Sequence, residues 1–127
     1  MEIFGVGTDI IEVGRITAAI KKGPSFKKRV YTAREISYCE NKKKGKYPSY
    51  AARFAAKEAV AKSLSEGVGK NVSLSEIELT NTENGAPYIL LYGHTRQYSE
   101  KLGIREIKVS VSATENFAVA YAISLKL

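Results

Sequence analysis

Residues 53–64 read RFAAKEAVAKSL. Strong helix formers fill the stretch, with four alanines and no Gly or Pro, so it predicts a helix. Ala55, Ala56, Ala59, Val60, Ala61 and Leu64 are expected to pack inward. Four charges interrupt them: Arg53, Lys57, Glu58 and Lys62. Glu58 and Lys62 are spaced i, i+4 with the acid on the N-terminal side, an order worth a few tenths of a kcal/mol on a solvated face. Phe54, Glu58 and Lys62 also share one stripe of the helix. The charges are therefore either a solvated face or part of a site, and the rest of the chain decides between these.

Working outward, the helix is expected to run from Pro48-Ser49 to Leu64, with the basic loop KKKGK (42–46) before it and Gly67 and Gly69 in a loop after it. Upstream, Thr32 and Glu35 form a capping box that opens a helix to about Glu40. Phe26 to Val30 reads as a short helical turn. Residues 11–22 have apolar positions 13, 16, 19 and 20 at helical spacing, stopped by Gly23-Pro24. Residues 2–10 alternate Phe4, Val6 and Thr8 against Gly5, Gly7 and Asp9, the period of a strand. Glycines on one face of a strand imply that another backbone comes close. Downstream, Asn84-Gly85 between two apolar stretches signals a hairpin. Residues 94–102 read as a short helix closed by Gly103. Ile107, Val109 and Val111 alternate up to a turn at 114–116, and a strand returns from Phe117 to Leu125. The order β-α-α-α-β-β-α-β-β implies an α+β fold, an antiparallel sheet packed against a long helix, in a single domain over 1–127.

Composition narrows the function. The chain has 127 residues, 44% hydrophobic and 26% charged, with a net charge of +7. No run of 18 apolar residues suggests a membrane span. The N-terminus MEIFGVGTDII has an acid where a signal peptide has bases. Cys39 is the only cysteine and His94 the only histidine, so an intrachain disulfide and a zinc site are excluded and a reducing cytoplasm is expected. Residues 1–63 hold fourteen Lys/Arg against six Asp/Glu, and residues 64–127 hold six against seven. Such a split favours an acidic partner.

Two carboxylates stand out: Asp9 at a strand end beside glycines, and Glu58 in mid-helix. If the helix packs on the first strand, the two meet. Two carboxylates with open water positions suit magnesium when the substrate brings phosphate oxygens. Arg53, Lys57 and Lys62 are then candidate phosphate partners. There is no GxxxxGK[ST] loop, and GVGTDI lacks the third glycine of a dinucleotide fingerprint. A rival reading, a small basic RNA-binding protein, rests on the charge, eight tyrosines and the KKKGK loop. Against it, no basic strand gathers the aromatics and no RNP or GXXG-type motif is present.

The segments GVGTDIIEVGRI (5–16), RFAAKEAVAKSL (53–64), GVGK (67–70) and N-G-x-P-Y (84–88) together resemble the holo-acyl-carrier-protein synthases, small bacterial phosphopantetheinyl transferases. The motifs fall in the family's order from end to end. The resemblance implies transfer of the 4′-phosphopantetheine arm of coenzyme A to a serine of apo acyl carrier protein, leaving adenosine 3′,5′-bisphosphate, for fatty acid biosynthesis. Asp9 and Glu58 match the family's Mg²⁺ ligands, and Lys62 a residue near the pyrophosphate. The serine's base is left open between Glu58 and a water held at the metal. The coenzyme A contacts implied are Arg53, Phe54, Lys57, Lys62, Gly67, Pro87, Ser110, Ser112 and Thr114, with Arg53 at the 3′-phosphate. Arg15 occupies the position that contacts the acidic carrier, and Lys21, Lys22, Phe26 and Arg29 extend that surface. Two residues depart from the family pattern: Ala113 stands where many relatives carry His, and Ser65 where glycine is frequent. The family further implies a homotrimer with sites at subunit interfaces, and Pro87 and Ser110–Thr114 supplied by the second chain.

Overall fold

The computed structural model describes residues 1–64 and 68–127. Strand β1 (Glu2–Glu12) leads into helix α1 (Val13–Lys21), then α2 (Ser25–Val30), α3 (Ala33–Glu40) and the long α4 (Lys46–Ser63). A 3₁₀ turn (Leu74–Glu76) precedes β2 (Ile77–Asn81) and β3 (Pro87–Leu91); α5 (Gly93–Lys101), β4 (Ile104–Ala113) and β5 (Phe117–Lys126) follow. The element types match the sequence expectation, and four features differ. The segment expected as a turn is the six-residue helix α2. β1 continues through Ile11 and Glu12, because these pair with Ala118 and Phe117 of β5. α4 begins at Lys46, since Pro48 in a first turn forfeits no intrahelical bond. The strands form two sheets, an antiparallel β1-β5-β4 and the hairpin β2-β3.

α4 lies on one face of the three-stranded sheet. There β5 presents Ala118, Ala120, Ala122 and Ser124, all buried, and α4 presents Ala55, Ala56 and Ala59. Small side chains on both surfaces let the backbones approach. At Gly7 the approach is closest: a Cβ there would overlap Ala59 O and lie 2.8 Å from Ser63 N and 2.9 Å from Lys62 Cβ. The glycine face of β1 is thus the seat of the helix, as its pattern implies. Ser124 Oγ seals the junction by donating to Ser63 O at 2.7 Å.

The capping box of α3 forms with both of its bonds. The 82–86 loop joins β2 to β3, with Gly85 at φ 86° and its N–H on Thr82 O. The opposite face of the large sheet is uncovered: Val6, Ile10, Phe117, Val119 and Tyr121 are all exposed, alternating along β1 and β5 with residues buried or half-buried against α4. No helix among the described residues is long and apolar enough to cross a membrane.

Candidate active site

Asp9 follows Gly7 on the helix-facing side of β1, so the close approach of α4 brings the stripe of Glu58 and Lys62 to it. Lys62 Nζ donates to Thr8 O at 3.0 Å and lies 3.4 Å from Asp9 Oδ1. Asp9 Oδ2 is buried with no hydrogen-bond partner among the described residues. Burial pushes the Asp9 carboxyl above its ordinary range, against the pull of Lys62. Glu58 is raised by burial and then by the charge of Asp9, again opposed by Lys62. Two carboxylates, one with an unused oxygen, share one half-buried place with a single cation, Lys62.

That donor set fits a hard divalent cation. Mg²⁺ is held by one or two carboxylates and completes its shell with water and substrate phosphate oxygens. Among the described residues no third His, Cys, Asp or Glu converges with another such pair. The fit is therefore to a site that binds metal and phosphorylated substrate together. Lys62, with its side chain 48% exposed, is free to reach such a substrate.

The four charges of residues 53–64 divide into two pairs. Lys57, expected as a phosphate contact, is turned inward. It is fully buried, its ammonium 2.5 Å from Glu35 Oε1, donating to Leu74 O at 3.0 Å and to Ile77 O. All three protons are used inside the protein, so none is left for a coenzyme phosphate. Glu35, the capping residue of α3, also accepts from Leu79 N at 2.9 Å and so ties α3, α4 and β2 together. Arg53, one turn before Lys57, is buried as well. It donates to Ser49 Oγ at 3.1 Å and stacks on Tyr38 at 4.0 Å. Its Nε has no partner among the described residues, and it borders a small cavity of about 150 Å³ with Arg34, Thr80 and Asn81. Arg53 thus retains the capacity to bind an anion that Lys57 has lost. Glu35, Tyr38, Arg34 and Asn81 escaped the sequence reading. Only Glu35 carried a local signal, and that signal announced a cap.

The carrier-side candidates come together. Arg15, Lys22, Phe26 and Arg29 line one groove of about 390 Å³ between α1 and α2. Phe26 stacks on Phe54 at 6.2 Å between ring centroids, which joins the groove to the Glu58 stripe. Ser110 and Ser112 lie elsewhere. They pair with Tyr121 and Val119 and share the uncovered face of the sheet, opposite α4. Thr114 is at the exposed β4–β5 turn and Pro87 at the exposed start of β3. Gly67 and Ser65 lie outside the described residues.

The model of the 4′-phosphopantetheinyl transferase superfamily matches residues 5–122. The chain is 51% identical over 119 residues to a holo-[acyl-carrier-protein] synthase of Ruminiclostridium cellulolyticum, covering 93% of this chain and 89% of that one. Among solved structures, the holo-[acyl-carrier-protein] synthase of Neisseria meningitidis superposes with a TM-score of 0.90 at 32% identity, over 98% of this chain and all of that one. The Helicobacter pylori synthase, solved in complex with coenzyme A, superposes with a TM-score of 0.83 at 30% identity, over 94% and 99% of the two chains. The RNA-binding reading has no support among these likenesses. The fold agrees with them, and the chain belongs to the 4′-phosphopantetheinyl transferase superfamily.

Proposed function

We propose that this chain transfers the 4′-phosphopantetheine arm of coenzyme A to a serine hydroxyl of an apo acyl carrier protein, releasing adenosine 3′,5′-bisphosphate. The observation that carries this reading is Asp9 Oδ2, buried and unpartnered among the described residues, beside Glu58 and Lys62, in a chain whose relatives are named for the reaction. Asp9 and Glu58 would hold Mg²⁺, which would supply neutralisation of pyrophosphate charge. Lys62 stabilises charge on the phosphoryl oxygens as the serine oxygen attacks phosphorus and the bridging P–O bond breaks. Glu58 takes the serine proton. Arg53 holds the 3′-phosphate. Lys57 takes no part in binding and fixes α4.

The groove of Arg15, Lys22, Phe26 and Arg29 receives the acidic carrier, and complementary charge speeds the encounter. The active form is a homotrimer. The apolar stripe of Val6, Ile10, Val119 and Tyr121 supports this, because so much apolar surface on one sheet face marks an interface. Ser110 and Ser112 lie on that stripe and face away from Asp9. They reach coenzyme A by completing the site of a neighbouring copy.

The test is intact-protein mass spectrometry of an apo acyl carrier protein incubated with this chain, coenzyme A and Mg²⁺, beside an EDTA control. A gain of one phosphopantetheine in Mg²⁺ and none in EDTA is expected. No gain, on a carrier that a known synthase does modify, refutes the assignment.

A further inference from the structure

A second constellation of reactive side chains lies apart from the transfer site. It contains His94, the chain's only histidine, near the start of α5. His94 Nε2 is 3.1 Å from Ser73 Oγ, and His94 Nδ1 is 3.1 Å from Glu76 Oε1. Glu76 is itself fixed: Oε1 accepts from Thr95 N at 3.1 Å and Thr95 Oγ1 at 2.7 Å, and Oε2 from His94 N at 3.3 Å. Ser73 is fixed too, its N–H donating to Thr95 Oγ1 at 2.9 Å. Gly93 makes room for the carboxylate, since a Cβ there would overlap Glu76 Oε2, and its φ of 57° suits glycine. Burial pushes Glu76 up, but the bonds from Thr95 and the neighbouring imidazole prevail and hold it below its ordinary value, so it stays an acceptor.

The order of groups matters. In the tautomer that carries its proton on Nδ1, the nitrogen facing Glu76 Oε1, the histidine keeps a lone pair on Nε2 that can accept the Ser73 hydroxyl proton. Hydroxyl, base and orienting carboxylate in that sequence is the arrangement of an activated nucleophile. Capping α5 requires Glu76 and Thr95 alone; it gives no reason for a hydroxyl on the far nitrogen of the ring. Ser73 also borders a cavity of about 340 Å³ walled by Val30, Val68, Val72 and Leu74, with Arg29 at its edge. That wall suits a short aliphatic chain.

We propose that Ser73, His94 and Glu76 form a second site that accepts short acyl groups from activated esters or thioesters. Ser73 Oγ attacks the carbonyl carbon, and its proton passes to His94 Nε2. The bond from the acyl carbon to the leaving oxygen or sulfur breaks, and the leaving group departs with that proton. An ester on Ser73 remains. Water, giving a proton to His94, then hydrolyses it, frees the carboxylic acid and restores the hydroxyl.

The experiment follows p-nitrophenyl acetate hydrolysis by the full chain and by Ser73→Ala, Ser73→Cys and His94→Gln. Base assistance contributes roughly 10²-fold, so Ser73→Ala and His94→Gln should each lose at least about tenfold in nitrophenol release. Ser73→Cys, which keeps a nucleophile, should retain turnover. Phosphopantetheine transfer by Ser73→Ala should be unchanged, which shows that its fold is kept. Equal turnover by wild type and Ser73→Ala overturns the proposal. So does a loss confined to His94→Gln, which would mean that imidazole acts without the serine.

Discussion

Replacing Gly7 with alanine tests how the fold makes the site. The added Cβ overlaps Ala59 O and lies at 2.8 and 2.9 Å from Ser63 N and Lys62 Cβ, so two of its three contacts are helix backbone. Backbone cannot swing aside as a flexible side chain does, so the whole helix must retreat. Overpacking of this kind costs up to about 3 kcal/mol. With an unfolding entropy of roughly 2.1 cal/mol/K per residue, a chain of 127 residues then loses about 10 °C in Tm. Retreat of α4 also draws Glu58 and Lys62 away from Asp9, and a displacement near 1 Å costs up to about 10²-fold in rate. Gly14 is the internal control. It lies within α1 with nothing within 4 Å of an added Cβ, so alanine there gains up to about 1 kcal/mol of helix propensity. Thermal unfolding by circular dichroism at one fixed protein concentration reads the Tm, and carrier mass spectrometry reads the rate. A Gly7→Ala protein that melts within about 2 °C of wild type and transfers at full rate would refute the claim that close packing of β1 and α4 builds the site.

Three further outcomes are expected. Lys57→Met leaves Glu35 buried without its cation and destabilises by about 3–5 kcal/mol, whereas the double variant Glu35→Gln, Lys57→Met recovers most of that loss in urea unfolding. Asp9→Asn raises the Tm of metal-free protein at pH 7, because a carboxyl whose folded pKa is raised loses stability as pH climbs through that range; the same variant weakens Mn²⁺ binding read by calorimetry and loses transfer. Glu40 is pushed down from 4.5 to about 2 by hydrogen bonds from Lys27, Tyr50 and Lys46, so its contribution is complete above pH 4.5 and disappears as pH falls towards 2; Glu40→Gln should flatten the Tm profile across that window.

Much of the architecture is local and so was legible in the chain. The period of two along 2–10, the Thr32–Glu35 box, the alanine-rich run of α4 and the Asn84-Gly85 turn each act over a few residues, and each formed where its pattern stands. Even the meeting of Asp9 with the Glu58 stripe was foreshadowed, because glycines on one strand face leave a space only a close neighbour fills. The fate of the other two charges was not legible. Lys57 and Glu58 are adjacent and equally polar, and nothing within the helix says which of them stays half-exposed and which is enclosed. That was decided by Glu35, Leu74 and Ile77, between 17 and 22 positions away, which together satisfy a buried ammonium. Arg53 was turned inward likewise by Tyr38 and Ser49. The pairing of Ser73 with His94 spans 21 residues and two elements. Short-range pattern fixes the elements because neighbours in sequence are neighbours in space. The protonation, exposure and partners of a charge depend on residues that only the folded chain brings beside it.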